Sequence, residues 1–329
     1  MAKSENQKLK LLYIIKILQE ETDEAHCIST KDLIARLERE GIKAERKSIY
    51  TDIQSLTEFG YDIEKNNSKT EGGYYLKKRD FETAELKLMA DAISASRFIT
   101  KEQSKKLIEK LEKLTCVHDA KSLKRQVFVA NRIKTSNASV LHNTDVIHNA
   151  ISLNRRISFR YFEWDIDKQM KFRKNGCRYV LSPWAVTVNA DNYYLIAYDD
   201  DNKMIKHYRI DKMTDIDLLE EKRLGKDLFI SFDVADYTNK QFGMFSGEEQ
   251  IVTIQFPNRL IGVAVDRFGT DITVRKRDEE HFSIRTNLFV SQQLFGWLAG
   301  MGNDVKILLP EEVKQEYKAY LMSIIDNSE

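Results

Sequence analysis

Residues 42–63 read IKAERKSIYTDIQSLTEFGYDI, and this stretch decides the fold of the first part of the chain. Ile49, Ile53 and Leu56 recur at helical spacing and share one stripe, so we predict a helix over residues 44–59. The opposite side of this helix is polar. We therefore expect the helix to pack one side into a core and to expose the other.

The flanking sequence completes a specific order of elements. A helix rich in Leu and Ile starts near Leu9, and Ser29 with Asp32 forms the N-terminal cap of a second helix. Residues 61–76 predict a strand, a polar turn and a strand. Three helices followed by a β-hairpin are typical of a winged helix-turn-helix, whose third helix enters the major groove of duplex DNA. We assign residues 1–80 to this domain.

The polar side chains at the start of the third helix are the predicted DNA contacts. Basic groups there bind phosphates, and the others reach base edges. The alternative is a small helical domain with an ordinary solvated face. The predicted DNA-binding residues are Lys43, Arg46, Lys47, Ser48, Tyr50, Thr51 and Gln54, with Lys69 in the hairpin turn.

Residues 81–140 predict a helical linker. Residues 81–114 form a long helical stretch of two helices that divide near Thr100, which forms a capping box with Gln103. Apolar stripes around Leu86 and Leu107 must be buried, either against a neighbouring domain or against a second copy of the chain. Because a winged helix usually works with a twin, we expect a homodimer.

Residues 141–225 predict a small antiparallel barrel or strongly bent sheet. A helix over residues 145–153, capped by Thr144 or Asp145, precedes strands that are separated by tight polar turns. Guanidinium groups bind phosphate as a fork and aromatic rings stack on bases, so the sheet offers an anion pocket. The alternative is that Arg178, Arg209 and Lys212 form surface salt bridges with Asp199, Asp201, Asp211 and Asp215. The pocket gathers Arg160, Arg178, Tyr194, His207 and Arg209.

Several segments resemble one family of bacterial transcription regulators. RYVLSPW (178–184), NYYL (192–195) and HYRIDKM (207–213) resemble the core of the WYL domain, an Sm-like barrel, and residues 42–63 resemble the winged helix of the same regulators. The resemblance implies an effector at the barrel, single-stranded DNA or RNA or a nucleotide. It adds Ser182 and Lys212 to the predicted ligand-binding residues.

Residues 226–329 predict a further domain in the order β-α-β-β-α-β, which is typical of a ferredoxin-like unit. Within it, LFGWLAGMGNDVKILLPEEV (294–313) resembles the extension that commonly follows a WYL domain. We expect Phe295 and Trp297 to be core residues. The whole chain is thus predicted to be an α+β multidomain protein.

Composition limits the function. Of 329 residues, 52 are Lys or Arg and 51 are Asp or Glu, so bulk charge cannot hold a polyanion and any nucleic-acid contact depends on local clusters. Three scattered cysteines and the lack of a long apolar segment lead us to expect a cytoplasmic protein away from membranes.

No motif for catalysis is present. The sequence contains no GxxxxGK[ST], GxGxxG, GxSxG or HExxH, and its histidines and cysteines lack metal-ligand spacing, so we expect no enzyme, metal or cofactor. Two functions remain. The first is a transcription regulator that binds a duplex DNA operator and senses an anionic effector. The alternative is a non-catalytic accessory protein that binds single-stranded nucleic acid and modulates a defence or DNA-repair system.

Overall fold

The computed structural model describes residues 7–67, 72–123, 133–189, 191–230, 232–244 and 247–326. The chain divides into two compact units, Met1–Ala138 and Ser139–Glu329. The finer division predicted above, with boundaries after residues 80, 140 and 225, stays a prediction. Within the described ranges, no helix is long and apolar enough to cross a membrane.

The first unit begins with three helices and a hairpin, in the predicted order. Their bounds are α1 (Lys10–Glu21), α2 (Thr30–Arg39), α3 (Arg46–Phe59), β1 (Ile63–Asn66) and β2 (Gly73–Leu76). The core joins Ile14 and Leu18 of α1, Leu33 of α2 and Ile49 of α3, all fully buried. The expected cap of α2 is present, since the Ser29 hydroxyl accepts a hydrogen bond from the Asp32 amide at 3.1 Å.

The hairpin is attached to the helices by a backbone contact. Ile28, just before α2, forms a β-bridge with Tyr74 of β2. The two backbones approach so closely at Gly73 that a Cβ there would lie 2.3 Å from the Ile28 carbonyl oxygen. Glycine at position 73 therefore allows the hairpin to lie against the helices.

In the described part of the first unit, three more helices follow: α4 (Thr83–Ala95), α5 (Lys101–Glu112) and α6 (Val117–Leu123). The capping box predicted at Thr100 and Gln103 is observed at the start of α5. The apolar residues of α4 divide between core and surface, because Leu86 is fully buried whereas Leu88 is 71% exposed.

The second unit starts with α7 and a curled sheet that forms a half-barrel. The elements are α7 (Val140–Ser152), β3 (Arg155–Trp164), β4 (Met170–Phe172), β5 (Tyr179–Asn189), β6 (Asn192–Asp199), β7 (Met204–Arg209) and β8 (Met213–Lys222). Strand order is β4-β3-β5-β6-β7, and β8 pairs with β3. Phe159, Tyr161, Tyr179 and Tyr208 make ring contacts on the inner face, with centroids 5.5 to 6.4 Å apart.

The predicted start of α7 is wrong. The helix begins at Val140, five residues before Asp145, and the Thr144 hydroxyl lies inside it, where it donates to the Val140 carbonyl at 2.8 Å. The longer helix reaches the sheet through Asn143, which is buried and donates to the Met213 carbonyl at 2.9 Å. A tertiary contact thus extends the helix beyond its apparent cap.

The rest of the second unit comprises two short helices and a mixed α+β layer. The elements are α8 (Lys226–Ile230), α9 (Val234–Lys240), β9 (Glu248–Pro257), α10 (Ile261–Phe268), β10 (Val274–Lys276), β11 (His281–Val290), α11 (Gln292–Ala299), β12 (Lys306–Leu309) and α12 (Glu311–Asp326). From β9 to β12 the elements follow in the predicted order, and the antiparallel strand order is β10-β11-β9-β12. Phe295 is buried and Trp297 packs against the same core, as predicted.

Candidate functional site

The exposed face of α3 carries most of the predicted DNA contacts. Arg46, Lys47, Tyr50, Thr51 and Gln54 are all exposed. The Arg46 Nε donates to the Tyr50 hydroxyl at 2.7 Å, and this hydrogen bond lowers the pKa of Tyr50. Among the described residues, neither Arg46 nor Lys47 forms an ion pair with a carboxylate. Their positive charges therefore face solvent without compensation.

Ser48, also predicted to contact DNA, lies on the inner side of α3. It is half-buried, and its hydroxyl accepts a hydrogen bond from Lys10 of α1. Lys10 also forms an ion pair with Asp52 at 2.7 Å, and the two side chains are only 11% and 15% exposed. This cluster joins α1 to α3 and removes the Asp52 charge from the exposed face of α3.

The remaining predicted DNA contacts flank α3. Lys43 is exposed in the turn before the helix, whereas Lys69 lies outside the described residues. The sequence interpretation missed Lys65 of β1, whose ammonium lies 5.7 Å from the centroid of the Tyr74 ring. Its charge also contributes to the lowered pKa of Tyr50, so the hairpin and α3 share one electrostatic environment.

The predicted ligand residues of the curled sheet fall into separate groups. In the first group, Arg160 and Arg178 lie beside carboxylates of β8. The Arg160 Nε donates to Asp215 at 2.6 Å, and Arg178 forms an ion pair with Asp217 at 2.5 Å. Arg178 also donates to the buried hydroxyl of Ser158 at 2.9 Å. These are salt bridges of the kind considered as the alternative, but with Arg160 as an additional cation and Asp217 as an additional acid.

A second group, Tyr194 and His207, is covered by the segment that follows the curled sheet. Tyr194 packs with Met244 in a buried apolar cluster. The His207 ring contacts the Met244 carbonyl through Nε2 and the Tyr237 hydroxyl through Nδ1, the latter at 3.0 Å. A carbonyl can only accept, so Nε2 carries the proton and Nδ1 accepts from Tyr237. Burial lowers the pKa of His207, which keeps the ring neutral.

Ser182 is also structural. Its side chain is fully buried, and its hydroxyl accepts a hydrogen bond from the Leu224 amide at 2.8 Å. It therefore connects β5 to the end of β8 and does not reach a ligand surface.

The third group, Arg209 and Lys212, lies at the end of β7. Arg209 forms an ion pair with Asp211 at 2.8 Å. Burial lowers the pKa of Lys212, and the nearby positive charge of Arg209 lowers it further. The Asp211 and Glu163 carboxylates act on Lys212 in the opposite direction, so an anion that binds here competes with these two acids.

Two basic residues missed by the sequence interpretation extend this group. Arg173 and Lys174 lie in the turn between β4 and β5, over the inner aromatic face. The Arg173 guanidinium is 5.7 Å from the Tyr161 ring centroid, and the Lys174 ammonium is 4.4 Å from that of Tyr179. Arg173 is paired with Glu163. The sequence offered one signal for these two residues, a basic pair directly before Asn175 and Gly176. The prediction missed them because it assigned residues to the sheet face by strand alternation, which does not extend into a turn.

Family models match two parts of the chain. Residues 142–218 match the WYL domain, and residues 12–68 match the D3 domain of FokI. The match to the WYL domain thus covers nearly all of α7 and the curled sheet as far as Leu218 in β8, and we refer to this region as the WYL domain. No curated protein sequence matches the chain significantly.

Two solved structures show distant similarity. The proteasome accessory factor B/C of Arthrobacter aurescens is 14% identical with a TM-score of 0.28, over 94% of this chain and 47% of that one, so this chain spans about half of its length. A CRISPR Cas-related protein is 12% identical with a TM-score of 0.38, over 98% and 84% of the two chains. Similarity at this level adds nothing to the fold described above.

Proposed function

We propose that the chain is a homodimeric transcription regulator that is not an enzyme. In this proposal the first unit binds a duplex DNA operator through α3 and the β1–β2 hairpin, and the WYL domain binds an anionic effector. The observation that carries the proposal is the exposed start of α3, where Arg46 and Lys47 form no ion pair with any described carboxylate and Glu58 lies at the far end of the helix. Cations without carboxylate partners bind phosphates without first losing an ion pair, and the neighbouring Tyr50, Thr51 and Gln54 can reach base edges.

The effector is single-stranded nucleic acid or a nucleotide. Arg209, Lys212 and Arg173 place three cations beside aromatic rings, and an anionic ligand would exchange the ion pairs of Arg209 and Arg173 for contacts with its own phosphate. This combination suits a phosphate with an attached base, because guanidinium forks bind phosphate oxygens and rings stack on bases. A homodimer is part of the proposal because a domain with three helices and a hairpin in this order usually acts with a twin, each copy binding one half-site.

Regulation requires that the effector favours one arrangement of the DNA-binding helices, because a ligand with equal affinity for two states shifts neither. The test is binding of the purified protein to the duplex upstream of its own gene, over a salt series, with single-stranded DNA as competitor. We expect sequence-specific duplex binding that single strands alter. Tight single-strand binding with weak, salt-sensitive duplex binding would instead favour the accessory protein.

A further inference from the structure

The sheet formed by β9 to β12 has one buried face and one open face. Alternate residues of β9 and β11, such as Ile254 and Ile284, are buried in the core. The open face shows a different chemistry. Arg275 of β10 is paired directly with Ser283 of β11, and Arg285 of β11 with Thr253 of β9. Because directly paired residues point to the same side of a sheet, the open face is basic and hydroxyl-rich.

This open face contains a cleft of about 410 Å³. Three arginines line it, namely Arg275, Arg277 and Arg285. Its floor is formed by Ser283, which is 2% exposed, and Thr253, which is 8% exposed. The Arg277 Nε donates to the Ser283 hydroxyl at 2.8 Å, so one guanidinium is already held in place over the floor.

The charges of this cleft are not compensated. None of its three arginines forms an ion pair within the part of the chain that the structure describes. In the same unit, Arg160 and Arg209 are each bound to a carboxylate. Further along the same face, the Glu249 carboxylate is bound to Lys240 at 2.7 Å and to Asn287 at 2.6 Å. The Glu249 carboxylate is therefore bound to other side chains and does not pair with the arginines of the cleft.

We propose that this cleft is a second anion site, which binds a phosphate group that carries an apolar moiety. Guanidinium forks match the geometry of phosphate oxygens, and the hydroxyls of Ser283 and Thr253 can donate to the same group. At the rim, Ile251 and Leu309 are 53% and 58% exposed, which provides apolar contact for a sugar or base. The phosphate source is a nucleic-acid strand or a free nucleotide. This site lies on a different sheet from the WYL domain and is independent of the function proposed above.

The test uses the full chain and its Arg275→Gln/Arg285→Gln variant. Arg277 is left unchanged because it bonds to the buried Ser283. Arg259→Gln is the matched control, since Arg259 is 62% exposed in the same domain and is paired with Asp304. Calorimetric titrations use three probes: inorganic pyrophosphate, AMP and a ten-nucleotide oligothymidylate. Circular dichroism verifies that each variant is folded.

A charge-assisted hydrogen bond to phosphate accounts for about a tenfold change in affinity, so we expect the double variant to lose about 100-fold and the control to lose none. Loss with all three probes identifies a general phosphate site that a free nucleotide can fill. Loss with the oligonucleotide alone identifies a nucleic-acid strand as the source. Because the WYL domain is proposed to bind the same kinds of ligand, the titrations are compared by the number of probes bound per chain as well as by affinity. If the wild type binds no probe at millimolar concentration, or the double variant binds the same number of each probe with affinities within about threefold of wild type, the proposal is wrong.

Discussion

The exposed face of α3 and the curled sheet are both basic, but they differ in how their charges are compensated. On α3, Arg46 and Lys47 have no carboxylate partner among the described residues, and the one inward acid, Asp52, is bound to Lys10. On the curled sheet, Arg160 and Arg209 each have an aspartate partner. A polyanion can therefore bind α3 directly, whereas a ligand of the sheet must compete with existing ion pairs. Only a ligand that makes enough contacts to replace those ion pairs can bind the sheet, so the sheet favours selective binding.

The largest expected effect is on α3. Arg46→Ala with Lys47→Ala removes two phosphate contacts, so we expect about 100-fold weaker duplex binding and a salt dependence shallower by about two counterions. Fluorescence anisotropy over a salt series measures both quantities. The control is Lys105→Ala on α5, whose side chain is 77% exposed and which should bind like wild type. Equal losses in the two variants would mean that α3 is not the DNA-binding element.

The second effect concerns what positions α3. Lys10→Met leaves the Asp52 carboxylate largely buried without its partner, which should lower the free energy of unfolding of the first unit by about 2 kcal/mol. Hydrogen exchange of the amides of α1 and α3 measures this change. Lys8→Met, at an exposed position, is the control. Unchanged protection in α1 and α3 would show that the ion pair contributes nothing to stability.

The third effect tests whether a ligand of the curled sheet competes with Asp211 for Arg209. Arg209→Gln should weaken binding of single-stranded oligonucleotides about tenfold, because a charge-assisted contact is lost. Asp211→Asn should strengthen it by about threefold, because the ligand no longer displaces a carboxylate. Lys222→Gln at the exposed end of β8 serves as the control. If Asp211→Asn weakens binding instead, the aspartate positions Arg209 for its ligand.

The smallest effect is the pH dependence of His207. Burial holds its pKa below the ordinary 6.5, so below that pH the unfolded chain binds more protons than the folded one. We expect the melting temperature of the second unit to fall as the pH decreases from about 6.5, and His207→Gln to reduce that slope. The control is His142→Gln at an exposed position, which should leave the slope of melting temperature against pH unchanged. Identical slopes for wild type and His207→Gln would contradict the neutral, buried ring.

Local signals predicted the elements of the chain better than they predicted the orientation of side chains. The helix caps predicted at Ser29 and Thr100 are present, because each depends only on a hydrogen bond between the cap hydroxyl and the backbone amide three residues later. The cap predicted for α7 is wrong because the buried Asn143 brings the preceding turn against Met213. The same limit applies to Ser48 and Ser182, whose hydroxyls bond to distant parts of the chain.

The sequence by itself determined the order of elements from α1 to β2 and from β9 to β12, the basic character of α3 and the similarity of residues 142–218 to the WYL domain, since these depend on periodicity and short motifs. Only the tertiary structure decided which charges are compensated. It paired Arg209 with Asp211 and covered His207 with Met244, and within the described ranges it left Arg275, Arg277 and Arg285 without carboxylate partners. The physical reason is that ion pairing and burial depend on which side chains the folded backbone brings within a few ångströms, and no local pattern contains that information.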